Sequence, residues 1–250
     1  FHGLDSDLMI MAIEIQSIAS MPFLAAIPLF TFAGYILSES NAPKRLVKLT
    51  NSIFGWMPGG LSLVCLAACA FFTAFTGASG VTIIALGAIL YPALKEDGYN
   101  DKFNLGLVTS AGSLGLLFAP SLPLILYGVI AKVSIDQLFI AGILPGLLML
   151  IMLSTYSLLI NRHIRKPLSS FSIQKVRTSL KESLWELPLP VIVLGGIYSG
   201  FFAVSEAAAI TALYVVVIEV FILREISIRR LPQIIHSSMV LVGGILIILA

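Results

Sequence analysis

Residues Phe71 to Pro92 read FFTAFTGASGVTIIALGAILYP, an apolar run broken in its middle by Thr76-Gly77-Ala78-Ser79-Gly80. In hydrocarbon every backbone N–H and C=O must be paired within the protein. Irregular backbone at membrane depth therefore survives only where protein buries it or where it lines a wet cavity. The run predicts two helices, over 57–75 and 81–94, meeting at a tip rather than forming one span.

The rest of the chain supplies the membrane. Of 250 residues 58% are hydrophobic and only 11% charged, with a mean hydropathy of +1.01; a soluble domain carries roughly 25% charged residues. The expected fold class is an all-α polytopic membrane protein, with no nucleic-acid partner. The net charge of +2 matters less than where the cations sit. They form three clusters: Lys44, Arg45 and Lys48; Arg162 to Lys181; and Arg224, Arg229 and Arg230. Such clusters mark cytoplasmic boundaries. Cys65 and Cys69, four apart on one apolar helix, read as packing residues, and His2, His163 and His236 are too dispersed for a metal cluster. The chain opens on Phe1 and stops inside the apolar run SSMVLVGGILIILA, so a piece of a longer protein is expected.

Further membrane segments are predicted over 20–37, 104–118, 122–131 and 137–160, with two more helices in 187–223 turning near Gly200 to Ser205. With all three basic clusters inside, the crossings between neighbouring clusters must be even in number. A hairpin over 57–94 that enters and leaves on one side, one broken span over 104–131 and a return over 137–160 satisfy that count. The connector Lys95 to Lys102 then falls inside, and the one carrying Lys132 and Asp136 outside.

Two breaks in one chain point to a function. At the first, glycines permit a turn and close approach, while Thr76, Ser79 and Thr82 offer hydroxyl oxygens. One half-helix ends there on free carbonyls and the next begins on free N–H groups at its positive end. Such a tip holds a small cation by its oxygens and an anion by its donors, as the discontinuous helices of secondary transporters do. The second break, Ala119-Pro120-Ser121-Leu122-Pro123, follows Gly112, Ser113 and Gly115. Its prolines free carbonyls without adding charge. Glu206 is an acid in an apolar region, a functional signal by default, although the start of a helix also favours a carboxylate. Glu219, beside the basic boundary, is expected to snorkel or to pair with Arg224.

These stretches resemble the large membrane subunit of the tripartite ATP-independent periplasmic (TRAP) transporters, DctM-like. The residues that carry the resemblance are IPLFTFAGYILSESNAPKRLVKL, PGGLSLVCLAACAFFTAFTGASGVTIIALGAILYPALKEDGY, GSLGLLFAPSLPLILYG and GGIYSGFFAVSEAAAITALY. This chain departs from the family pattern at the tip, where Ala78 replaces a hydroxyl, at Ala119, where a first proline is lost, and at Ala203-Val204-Ser205-Glu206.

The resemblance implies an inverted-repeat, elevator-type importer of organic anions such as C4-dicarboxylates or sugar acids, driven by sodium and free of other cofactors, in the bacterial inner membrane. Implied partners are a small membrane subunit and a periplasmic substrate-binding protein. Carried onto this chain, it gives scaffold helices over 1–55 and a first transport repeat over 56–160, with its re-entrant hairpin at 57–94. A basic cytoplasmic linker over 161–186 and a truncated second repeat over 187–250 follow. Ion ligands are expected among Thr76, Gly77, Ser79, Gly80, Thr82, Pro120 and Ser121, with Ser79, Ser113 and Ser121 facing substrate. Alternatives are a sodium-coupled anion symporter that needs no binding protein, and a purely structural subunit. A third is a rhomboid-like intramembrane protease, in which Ser79 of Gly77-Ala78-Ser79-Gly80 is paired with His236. Nucleophilic catalysis requires that base within hydrogen-bond reach.

Overall fold

The computed structural model describes residues 22–57, 59–162 and 172–249, with Ile13 and Gln16. The expectations for residues 1–21 and for the basic stretch 163–171 lie outside them. Eleven α-helices and no strand occur among the described residues: α1 (Ala26–Glu39), α2 (Ala42–Phe54), α3 (Gly60–Thr76), α4 (Ser79–Glu96), α5 (Asp101–Leu114), α6 (Leu122–Ala131), α7 (Ile135–Ile160), α8 (Ile173–Glu182), α9 (Pro188–Tyr198), α10 (Val204–Val216) and α11 (Leu231–Leu249). Short 3₁₀ turns precede α1 and α11 and extend α5 through Leu117, while a π-helix, Val217–Ile222, extends α10. Among the described residues four helices are long and apolar enough to cross a membrane, and a fifth span is the pair α5–α6, bent by 45° at its break.

Local chemistry places the boundaries. Gly59 and Gly77, both in the left-handed region, bracket α3. Asn100 caps α5 by accepting from the Lys102 N–H. Pro123 at the start of α6 has no donor to lose. The first break is shorter than the five residues expected. Only Gly77 and Ala78 leave helical geometry, because Ser79 and Gly80 already form the first turn of α4.

Helix lengths set the depth of the breaks. At 1.5 Å per residue, α3 and α4 are each about 25 Å long, as is α5 with its 3₁₀ turn; α6 adds about 15 Å and α7 runs about 39 Å. The near ends of α3, α5 and α7 lie together, since Gly59 sits by the Tyr99 hydroxyl and the Asn161 carbonyl. The α3–α4 hairpin therefore turns back level with the α5–α6 break, and α6 continues beyond it. Residues of the first and third basic clusters form ion pairs toward that same end: Arg45 with Glu186, Glu219 and Glu225, Lys48 with Glu182, and Arg230 with Glu39.

Two cores stabilise the bundle. One packs α3 with α2, α4 and α5 around Cys65, Leu66, Phe72, Leu86 and Leu90; the other joins α1, α6, α9 and α10 around Ile27, Phe30, Ile125, Val193 and Ala208. Cys65 and Cys69 are buried free thiols, the packing role expected. Apolar side chains on α7, among them Leu144, Leu148, Ile151 and Leu159, stand exposed along its length.

Candidate functional site

The tip is built by its glycines and braced from behind. The Gly77 N–H donates to the Thr73 carbonyl at 2.8 Å, closing α3, and φ of +63° at Gly77 reverses the chain into an extended Ala78. A Cβ on Gly77 would lie 2.7 Å from Leu122 Cγ, so tip and second break are in contact. A Cβ on Gly34 of α1 would lie 2.4 Å from the Thr76 Cα, so α1 backbone supports the tip directly. Behind the turn the Thr76 and Thr82 hydroxyls lie 3.1 Å apart, both buried. The Thr73 hydroxyl donates to the Gly112 carbonyl at 2.8 Å, fastening α3 to α5.

Tip and break border an open pocket of about 240 Å³. Gly77, Ala78, Ser79 and Gly80 form one wall, Leu122, Pro123 and Leu126 of α6 another, and Leu241 and Ile245 of α11 a third. No charged side chain lines it. Ser121, immediately before α6, is fully buried and its Oγ has no hydrogen-bond partner. A buried hydroxyl without a partner costs about 1–3 kcal/mol, so this one is poised for an acceptor or a cation. The chemistry available is that of oxygen dipoles and helix-terminal N–H groups.

Of the expected residues, Gly77, Ser79 and Gly80 line this cavity, Thr76 and Thr82 pair behind it, and Pro120 and Ser121 are buried at the adjoining break. Ser113 is not brought there: it is exposed on α5 and donates to the Thr109 carbonyl at 3.1 Å. Glu206 is exposed in the first turn of α10, where its carboxylate accepts the Ala203 N–H at 2.8 Å. Ala203 has no side-chain acceptor, so only the returning half of a capping box is made. His236 is exposed on α11 and is not among the residues around Ser79.

The expectation for Glu219 is corrected. Its side chain is 1% exposed and its partner is Arg45, at 3.3 Å, rather than Arg224. The π-helix explains the turn inward: the Leu223 N–H reaches back to Ile218 O, and the Glu225 and Ile226 N–H groups both fold onto Glu219 O. Arg224 is left at the sharp exit, with φ of +54°. Arg45 donates through Nε to Glu186 Oε1 at 2.5 Å and also pairs with Glu225, which accepts the Asn41 N–H at 2.7 Å. Burial pushes the Glu186 carboxyl above its ordinary range, and Arg45 offsets this only in part. At Glu225 burial also pushes upward, but the Asn41 N–H and Arg45 outweigh it and hold the carboxyl below the usual range. The signal available was a surplus of acids beside the basic clusters. The pairing itself spans 141 to 180 residues, beyond the reach of local pattern.

Comparison with known proteins gives the same picture. The family described as "Tripartite ATP-independent periplasmic transporter, DctM component" matches residues 4–250. The ectoine/5-hydroxyectoine TRAP transporter large permease protein UehC of Ruegeria pomeroyi is 39% identical over 207 residues, 82% of this chain and 48% of its own. The C4-dicarboxylate TRAP transporter large permease protein DctM of Rhodobacter capsulatus is 34% identical over 85% of this chain and 52% of its own. The isethionate TRAP transporter permease protein DctMQ of Oleidesulfovibrio alaskensis is 38% identical over 86% and 34%. The chain spans about half the length of the large permeases it matches. A helical membrane bundle with two facing backbone breaks and a match along nearly its whole length leads to one assignment: the chain belongs to the DctM-component family of TRAP transporters, permeases rather than enzymes, and is a multi-pass protein of the bacterial inner membrane.

Proposed function

We propose that the chain forms the first half of the permease of a sodium-driven, binding-protein-dependent importer of small organic anions. The observation that carries this reading is the convergence of the Gly77–Ala78 tip with the Ser121 break on one uncharged cavity. Carbonyls ending α3, the hydroxyls of Thr76, Thr82 and Ser121, and the N–H groups opening α4 supply opposite partial charges at one place. Sodium takes the oxygens and the substrate carboxylate the donors. Neither needs a full protein charge at depth, which suits an ion that must be released again. The hairpin is re-entrant, with both ends at the cytoplasmic boundary, and it moves with α5 and α6 against a scaffold in an elevator-type step. Relatives named for C4-dicarboxylates, ectoine, isethionate and 2,3-diketo-L-gulonate support a small, polar substrate. A small membrane subunit and a periplasmic binding protein complete the transporter, as the word tripartite in the family's description supports.

The test is uptake into liposomes by the full-length permease with its partner subunit. Candidate anions are offered with purified binding protein, with and without an inward sodium gradient, for wild type, Ser79→Ala and Ser121→Ala. Uptake needing both gradient and binding protein, with weakened sodium dependence in the variants, is the expected result. Uptake without the binding protein would point to an autonomous symporter. Indifference to sodium and to both substitutions would leave the tip as a packing feature.

A further inference from the structure

We propose that the cluster around Arg45 contains a buried proton-binding site, in which Glu219 holds a single proton beneath the Arg45 guanidinium. The first argument is a charge count. One guanidinium faces three carboxyl groups, so a fully ionised cluster carries +1 − 3 = −2. Glu219 is 1% exposed and Glu186 3% exposed, and Oε2 of each has no hydrogen-bond donor. An ionised oxygen in that position bears its full desolvation cost, whereas a protonated one becomes a donor itself.

Geometry then locates the proton. Glu186 is held by Arg45 at 2.5 Å, and Glu225 accepts both Arg45 and the Asn41 N–H. Among the described residues Glu219 is reached only by Arg45 Nη2, at 3.3 Å, and it is the most buried of the three. The carboxyl with the weakest partner and the greatest loss of water is the one that keeps its hydrogen. A metal ion in place of the proton lacks a site: no group of three acids, histidines or cysteines among the described residues is arranged to hold one.

Each neighbouring element contributes to the field at the site. Arg45 comes from α2, Glu186 from the connection between α8 and α9, and Glu225 from the chain after the π-helix. Tyr214 of α10 donates its hydroxyl to the Trp185 carbonyl beside them. Lys48 with Glu182, and Arg230 with Glu39, stand farther out as exposed pairs. Loss of the proton leaves three carboxylates facing one guanidinium and loosens the tie between α2 and the end of α10. A rise in cytoplasmic pH should therefore weaken this end of the molecule.

The experiment uses full-length permease labelled with ¹³C-glutamate in lipid nanodiscs. Infrared spectra at neutral pH should show the carbonyl band of a neutral carboxylic acid, shifted by the label, lost on alkaline titration and absent in Glu219→Gln. Thermal unfolding supplies a second readout: Glu219→Gln should stay within roughly 2 °C of wild type and lose the alkaline decline, while Glu225→Gln should fall several times further. Absence of a titrating glutamic-acid band in wild type would overturn the proposal whether or not any variant folds. So would a Glu219→Gln loss as large as that of Glu225→Gln, since it would mean that an ionised Glu219 is what the cluster needs.

Discussion

The tip of the α3–α4 hairpin and the cluster around Arg45 are two polar regions of a largely apolar bundle, and they use opposite chemistry. The tip gathers hydroxyls and backbone dipoles around a cavity with no charged wall. The cluster gathers four ionisable side chains, three of them carboxyls. Depth accounts for the difference. A charge at the bilayer centre costs about 2.5–3.5 kcal/mol even on the lenient insertion scale, whereas a pair at the boundary reaches water or a partner. Dipoles also bind a cation weakly enough to let it go. Full charges suit a joint meant to stay closed, and this one ties α2 to segments 141 to 180 residues away.

That division can be broken most forcefully at its charged end. Arg45→Met leaves three carboxyl groups without their cation and should cost about 3–5 kcal/mol, read as a drop of roughly 10 °C in the unfolding of full-length permease in detergent. At the tip, Gly77→Ala must adopt φ of +63° and press a methyl against Leu122, 2.7 Å away. Strain and overpacking together should cost about 2–4 kcal/mol and abolish uptake ahead of unfolding at ambient temperature. Ser121→Ala removes a buried hydroxyl that has no protein partner. Its stability should rise by about 1–3 kcal/mol, while the sodium concentration for half-maximal uptake rises several-fold; an unchanged sodium dependence would take Ser121 out of the site. Lys48→Ala deletes an exposed pair with Glu182 and should shift stability by about 0.2–1 kcal/mol.

The pH response sharpens the same contrast. Because burial raises Glu186 above its ordinary 4.5, the stability tied to its neutral form is complete below that value and is lost as pH climbs through the raised one. Relative to wild type, Glu186→Gln should gain stability as pH rises. Glu225 is held low, so its contribution is present above 4.5 and lost as pH falls. Glu225→Gln should be most damaging near neutrality and converge on wild type in acid. Unfolding midpoints across pH for the two variants check both signs.

Much of the fold was legible because lipid leaves so few choices. The limits 122–131 of α6 followed from a proline-bounded apolar run, and the return helix from its unbroken length. The tip was overextended because glycine, serine and threonine read as breakers, while Ser79 and Gly80 in fact open α4. Ser113 was placed with the cavity by its nearness to the break in sequence, but the α5 periodicity turns it outward, where its hydroxyl is satisfied by Thr109. Glu219 was misread for a deeper reason. Neighbours in sequence suggested Arg224, and only a π-turn, which composition does not announce, rotates the acid toward Arg45.

The equal lengths noted for α5 with α6 and for α7 carry an electrical consequence. If α7 measures the thickness of the protein, the tip stands about 25 Å from one end and 15 Å from the other, roughly six-tenths of the way across. On the proposed sodium mechanism, a cation resting there has crossed only the shorter portion of the transmembrane field. Its release to the cytoplasm then gains about 1.4 kcal/mol per 100 mV of the roughly 2.3 available to a full crossing. On that mechanism the position of one glycine turn decides how the membrane potential is divided between loading the site from outside and emptying it within.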